Sequence, residues 1–174
     1  AFWYATSTIV EGAHPPDEYV EGGLVIHTKR VARCALLIAN TFDCSPTDFD
    51  ILMAAAILHD VTKTIWENAD KNNIVHDPMH PYTVDSFVEW CLTDDQTKSE
   101  AESSNGLDVS EDTLHQILRL IRCSHGVWSP IPETLPVTPL EKALHVADLI
   151  ASNIHHIVDG KEIIGERWNI KKET

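Results

Sequence analysis

The chain has 174 residues, 43% of them hydrophobic, and carries a formal net charge of −14 from 27 acidic against 13 basic side chains. That length suits one domain with a sizeable core, and the charge argues against long-range attraction to polyphosphate backbones or anionic lipid. Long nucleic acid is thereby disfavoured as a partner, and so is a membrane, because no apolar run reaches the roughly 18 residues that a span needs.

The four cysteines, Cys34, Cys44, Cys91 and Cys123, form no CxxC pair and no dense cluster. Neither a zinc knuckle nor a disulfide framework is expected. Reduced thiols, and a start (AFWYATSTIV) without the basic flank of a signal peptide, predict a cytoplasmic protein.

Helical periodicity dominates and no segment of strand length alternates convincingly. The prediction is an all-α, single-domain helical bundle over residues 1–174, with a core at about 22–158, an N-terminal arm at 1–21 and a tail at 161–174. The arm holds Pro15 and Pro16, and Gly22 and Gly23 read as a flexible turn. Leu24 to Phe42 reads as a helix whose face includes His27, Val31 and Ile38, stopped by DCSPT. Thr47, with Asp50 three residues on, resembles an N-cap for a helix through Ile51, Leu52, Ala55 and Ala56 to His59.

Residues 61–79 read as a long loop, 80–92 as a short helix opening at His80, and 93–109 as a solvated polar loop to which no function is assigned. Ser110 can cap the next helix, where Leu114, Ile117, Leu118, Ile121 and His125 fall at offsets of 3, 4, 7 and 11. GVWSPIPETLPV is proline-restrained and suits a wall or rim over a pocket. Thr138 as N-cap, Pro139 at the first helical position and Glu141 completing a capping box start the last helix. Its stripe is Leu140, Leu144, Ala147, Ala151 and Ile154, with Asp148 beside it. Gly160 ends that helix, and the tail packs through Ile163, Ile164 and Trp168.

Five helices or helix ends thus bring His27, the pair His59 and Asp60, His80, His125 and Asp148 towards the inward side. A lone histidine on an apolar face is most often a hydrogen-bonded core side chain. The two carboxylates are different, because an ionised carboxylate buried without a partner costs several kcal/mol. Few lysines or arginines lie near, so a divalent cation is the economical partner.

The ordered segments GGLVIHTKRVA, AAAILHDVTK, HPYTV, IRCSHG and EKALHVADLIAS resemble the HD-domain superfamily of metal-dependent phosphohydrolases, over about residues 22–155. The resemblance implies that His27, His59, Asp60 and Asp148 hold one ion. It implies that His80 and His125 add ligands for a second, with Asp60 bridging the two. Lys63 matches a lysine that contacts substrate phosphate, making Asp60 and Lys63 the catalytic pair; Arg30, one turn after His27, is a weaker candidate for substrate binding. The implied cofactors are one or two divalent ions among manganese, iron, cobalt, nickel, zinc and magnesium. The implied chemistry is in-line attack on phosphorus by water activated at the ions; GxSxG is absent and Cys123 has no evident activating setting beyond His125.

On substrate, LEKALHVADLI is similar to HD-type hydrolases of dinucleoside polyphosphates, while GGLVIHT and SHGVWSPIP are similar to the HD domain of 3′-to-5′ exoribonucleases. A cyclic-nucleotide phosphodiesterase is a further alternative, although Ser124 precedes His125 where HD-GYP enzymes carry a second histidine and the GYP signature is missing. Polymer binding needs several basic contacts, and no basic cluster lies outside the tail. A small nucleotide or other small phosphate ester therefore fits best, with Trp128 at its base and Trp66 or Tyr82 as other stacking faces. Two further classes use the same residues: a diiron oxygenase, and a non-catalytic nucleotide-binding module.

Overall fold

The computed structural model describes residues 2–8, 13–66, 74–77, 79–93, 109–129 and 131–158. Five α-helices lie among them: α1 (Gly23–Ala39), α2 (Pro46–Leu58), α3 (His80–Thr93), α4 (Glu111–Cys123) and α5 (Pro139–Val158). The class is all-α. Within the predicted 61–79 loop, however, β1 (Thr64–Trp66) pairs antiparallel with β2 (Ile74–His76), Thr64 opposite His76. Three-residue strands are too short to alternate visibly, so only the β-branched run TI and IV could have signalled this ribbon.

Local chemistry starts each helix. Ser45, not Thr47, caps α2: its Oγ accepts from the Asp48 amide at 3.1 Å, and Pro46 fills the first helical position. Proline's fixed φ and missing N–H suit that position, which sets the start two residues earlier than predicted. Ser110 caps α4 through the Thr113 amide at 3.2 Å. At α5 the capping box forms as predicted, with Glu141 N donating to Thr138 Oγ1 at 3.2 Å and Glu141 Oε2 accepting from the Thr138 amide at 3.1 Å. Glu141 also accepts from Arg119 Nε at 3.0 Å, which ties α4 to α5.

The core lies where α1 packs on α5 and α2, and α4 packs on α2 and α5. It is built from Val31 and Ala35, Leu52 and Ala55, Ile121, Leu144, Ala147 and Ala151, all fully buried. Alanines on three of the four helices let the backbones approach closely, while each buried Leu or Ile contributes about 1.5–3 kcal/mol. Val84 joins α3 to this core. Among the described residues no helix is long and apolar enough to cross a membrane.

The glycine turn before α1 is constrained rather than flexible. Gly22 holds a left-handed backbone with φ of 78°, and a Cβ on Gly23 would stand 2.1 Å from the carbonyl oxygen of Glu18. The N-terminal arm is thereby pressed onto the first turn of α1, held by Ser7 N to Glu18 O at 2.8 Å and Leu24 N to Ala5 O at 3.1 Å. The polar stretch 94–108, the Gly160 stop and the tail's Ile163, Ile164 and Trp168 lie outside the described residues.

Candidate metal centre

α1 supplies His27 from its second turn. The end of α2 supplies His59 as its C-cap, with Asp60 next in the chain, and α3 opens on His80. His125 follows α4, and Asp148 comes from the middle of α5. All six converge. His27, His59, Asp60 and His80 are buried to 4% exposure or less, and the Asp148 side chain is 17% exposed.

Hydrogen bonds fix how two imidazoles face. His59 Nδ1 donates to Ala56 O at 2.9 Å, one of the carbonyls left over where α2 ends, and His80 Nδ1 donates to Asp77 O at 2.8 Å. A ring that donates from Nδ1 presents its Nε2 lone pair. Those Nε2 atoms meet Asp60: His80 Nε2 is 2.9 Å from Oδ1, while His59 Nε2 and His27 Nε2 are 3.4 and 3.7 Å from Oδ2. Asp148 Oδ1 is 3.1 Å from His27 Nε2. One carboxylate therefore turns one oxygen to each of two imidazole groups, His27 with His59 and His80 with His125. The His80 and His125 rings pack edge to face, 4.8 Å between centroids.

These atoms suit a cation better than one another. Both ring nitrogens of His27, with His59 Nε2, His80 Nε2 and Asp60 Oδ1, are buried with no partner in hydrogen-bond geometry, and leaving such atoms unsatisfied costs about 1–3 kcal/mol each. Two ligands about 2.1 Å from one ion stand about 3.0 Å apart at a right angle and about 3.4 Å apart at a tetrahedral one. The 2.9–3.7 Å separations bracket those values. The buried His and Asp groups can thus hold a divalent metal.

Charge is arranged to match. Burial disfavours the Asp60 and Asp148 carboxylates, yet the neighbouring His59 and Lys63 hold Asp60, and His27 holds Asp148, well below the usual carboxylate range. Burial also pulls His27 down, but Asp148 and Glu18 outweigh it and raise the imidazole to about 9. Burial lowers His125 to about 4, which leaves it a neutral donor at pH 7.

Lys63 Nζ lies 2.8 Å from Asp60 Oδ2, beside the centre. Arg30 is elsewhere engaged. Its guanidinium holds Asp17 at 2.9 and 2.6 Å and Glu18 at 2.6 Å, so its donors grip the arm rather than an open substrate face. Trp128 is 58% exposed on a cleft of about 610 Å³ that also touches His14, His125, His145 and Asp148. Of the proline-restrained segment 126–137, Trp128 lines the cleft among the described residues. Tyr82, by contrast, bonds Ser129 and Thr134 of that segment through its hydroxyl; the Trp66 side chain lies outside the described residues. Burial pushes the Cys123 thiol up to about 11, so it is no nucleophile at neutral pH.

Three residues beside the centre escaped the sequence reading. His145 lines the cleft, its Nδ1 donating to Ser124 O at 2.7 Å and its ring 5.8 Å from that of Trp128. It sits one turn before Asp148 on the same helix, a spacing that could have flagged it. His14 and Glu18 come from the arm: His14 Nδ1 donates to Glu18 Oε2 at 2.7 Å, and that oxygen is 3.1 Å from His27 Nδ1. Burial raises the Glu18 carboxyl, but His14, His27 and Arg30 together hold it at about 2. Nothing periodic in the arm announces either residue.

No curated protein and no solved structure matches the chain. Residues 24–153 match the HD domain, a span that contains all six convergent residues. The chain therefore belongs to the HD-domain family, whose members are generally metal-dependent phosphohydrolases.

Proposed function

We propose that this protein is a metal-dependent phosphohydrolase that cleaves a phosphate ester or anhydride of a small nucleotide. The observation that carries the reading is Asp60, which turns one oxygen to each of two imidazole groups, with His125 and Asp148 of the same cluster lining a cleft that Trp128 also lines. His27, His59, Asp60 and Asp148 would hold one ion, and His80 and His125, with the other Asp60 oxygen, a second. When bound, such ions supply Lewis-acid polarisation of phosphoryl oxygens and acidify water.

The chain's own residues do the rest. The Nδ1 hydrogen bonds of His59 and His80 keep both rings aimed inward, so little reorganisation is needed at the moment of reaction. Lys63, beside Asp60, offers a fixed ammonium to a phosphoryl oxygen that gains charge. Trp128 and His145 offer flat faces at the cleft mouth, suited to a planar base. No lysine or arginine lines that cleft among the described residues, which favours a substrate with few phosphates over a polymer. Free Cys34, Cys44 and Cys123 accord with a reducing, cytoplasmic setting.

The test is phosphate release from nucleoside mono-, di- and triphosphates, dinucleoside polyphosphates, cyclic nucleotides and short oligonucleotides, with chelated and then metal-loaded protein. Metal-dependent release from a small nucleotide is expected, falling more than about 100-fold in Asp60→Asn, since a ligand should matter more than the outer partners whose loss costs 10–100-fold. Full turnover in Asp60→Asn would overturn the assignment. Oxygen uptake by the iron-loaded protein with no phosphate release would transfer the same ligands to a diiron oxygenase.

A further inference from the structure

Glu18 lies outside the span that matches the HD domain, which begins at residue 24, yet it is fully buried against the centre. Its carboxylate is gripped by two side chains and stands beside a third, whose Nδ1 is buried with no partner in hydrogen-bond geometry. Oε1 accepts from Arg30 at 2.6 Å, while Oε2 accepts from His14 Nδ1 at 2.7 Å and faces His27 Nδ1 at 3.1 Å. Its backbone is fixed too, by the Ser7 amide at 2.8 Å and by the close seat on Gly23.

His14, Glu18 and His27 place three ligand atoms within 4.8 Å of one another, which invites a second metal site there. The charges argue against one. The Arg30 guanidinium already occupies Oε1, and an ion at His27 Nδ1 as well as at Nε2 would require the imidazole to lose both protons. The alternative uses each atom once. A metal-ligating histidine commonly donates its other ring N–H to a carboxylate, which fixes the ring and strengthens the ligand.

We propose that Glu18 is a positioning residue of the metal centre: when the ion is bound it accepts a hydrogen bond from His27 Nδ1, 3.1 Å away, and so holds His27 Nε2 towards Asp60 and Asp148. Arg30, with Asp17, keeps that carboxylate charged and in place. The N-terminal arm is then a working part of the centre. This rests on the metal-centre reading above, and it gives Arg30 a role in place of substrate contact.

The experiment titrates chelated full-length protein with cobalt(II), following the visible absorption of the bound ion, for the unmutated chain, Glu18→Gln, Glu18→Ala and Arg30→Gln. Glu18→Gln can still accept a hydrogen bond through its amide oxygen, without the charge. It is expected to keep its helical circular dichroism and the same cobalt stoichiometry, but to bind about 10–100-fold more weakly with a shifted spectrum. Glu18→Ala should lose more than Glu18→Gln. A merely structural role would lower the melting temperature and leave the spectrum of the bound ion unchanged. Folded Glu18 variants with unaltered affinity and spectrum overturn the proposal. If neither Glu18 variant folds, Arg30→Gln decides: severalfold weaker binding supports it, and unaltered binding overturns it. An unmutated chain that takes up no cobalt overturns the metal-centre reading itself, a result distinct from unaltered binding in the variants.

Discussion

His27 is the residue on which charge, burial and metal chemistry meet. Without metal, its raised affinity for a proton supplies the positive charge that Asp148, Asp60 and Glu18 require. A divalent ion does the same work and must displace that proton. The sign follows directly. The His27 value rises from 6.5 to about 9 on folding, so its contribution to stability is fully present below about pH 6.5 and is lost as pH rises through about 9. Chelated protein should therefore melt at falling temperatures between those pH values, while metal affinity rises across the same window as the competing proton leaves. Thermal unfolding at stepped pH, with chelator and with manganese, checks this; parallel slopes in the two series would contradict it. Glu18 acts at the other end of the scale. Its depressed value of about 2 contributes stability above about pH 4.5 that disappears as pH falls towards 2.

At the scale of elements, the centre depends on where helices start and stop. His59 is placed because α2 ends there and leaves the Ala56 carbonyl for its Nδ1 proton; His80 is placed because α3 begins there and the Asp77 carbonyl performs the same task. The arm depends on Gly23 in turn. Gly23→Ala would drive a methyl into the Glu18 carbonyl 2.1 Å away, where only backbone can yield. We expect a loss of about 1–3 kcal/mol, the usual range for overpacking, read as a melting temperature several degrees lower; an unshifted melting temperature would show that the arm is not seated there.

That contact also marks what the sequence could and could not disclose. The α4 and α5 caps were legible because a cap is chemistry between neighbours: Ser110 with Thr113, Thr138 with Glu141. The convergence of His27, His59, Asp60, His80, His125 and Asp148 was legible because each falls at the edge of an apolar helical stripe, and their order carried a family resemblance. The ribbon was hidden by strands only three residues long. Glu18, His14 and the seat on Gly23 were hidden for another reason: they are tertiary contacts of an irregular segment with no period to project. Arg30 looked available for substrate because its acidic partners lie 12 and 13 residues upstream.

At the scale of the whole molecule, an acidic chain gathers six metal-competent side chains into one cluster, most of it buried among apolar helices and open to a cleft at His125 and Asp148. The apolar core beside it is fully buried at Leu24, Leu52, Ile121 and Leu144. Histidines whose Nε2 atoms meet no hydrogen and a carboxylate held charged at full burial are poor economy for a purely structural core, since well-packed hydrophobic residues of similar volume are often as stable or more so. The central claim is that these residues hold divalent ions around Asp60. Elemental analysis of purified, metal-loaded protein tests it most directly. We predict about two ions per chain, about one in His80→Ala or His125→Ala, and loss of both in Asp60→Asn with its helices intact. A metal content near zero in the unmutated chain, or one that Asp60→Asn leaves unchanged, would contradict the account.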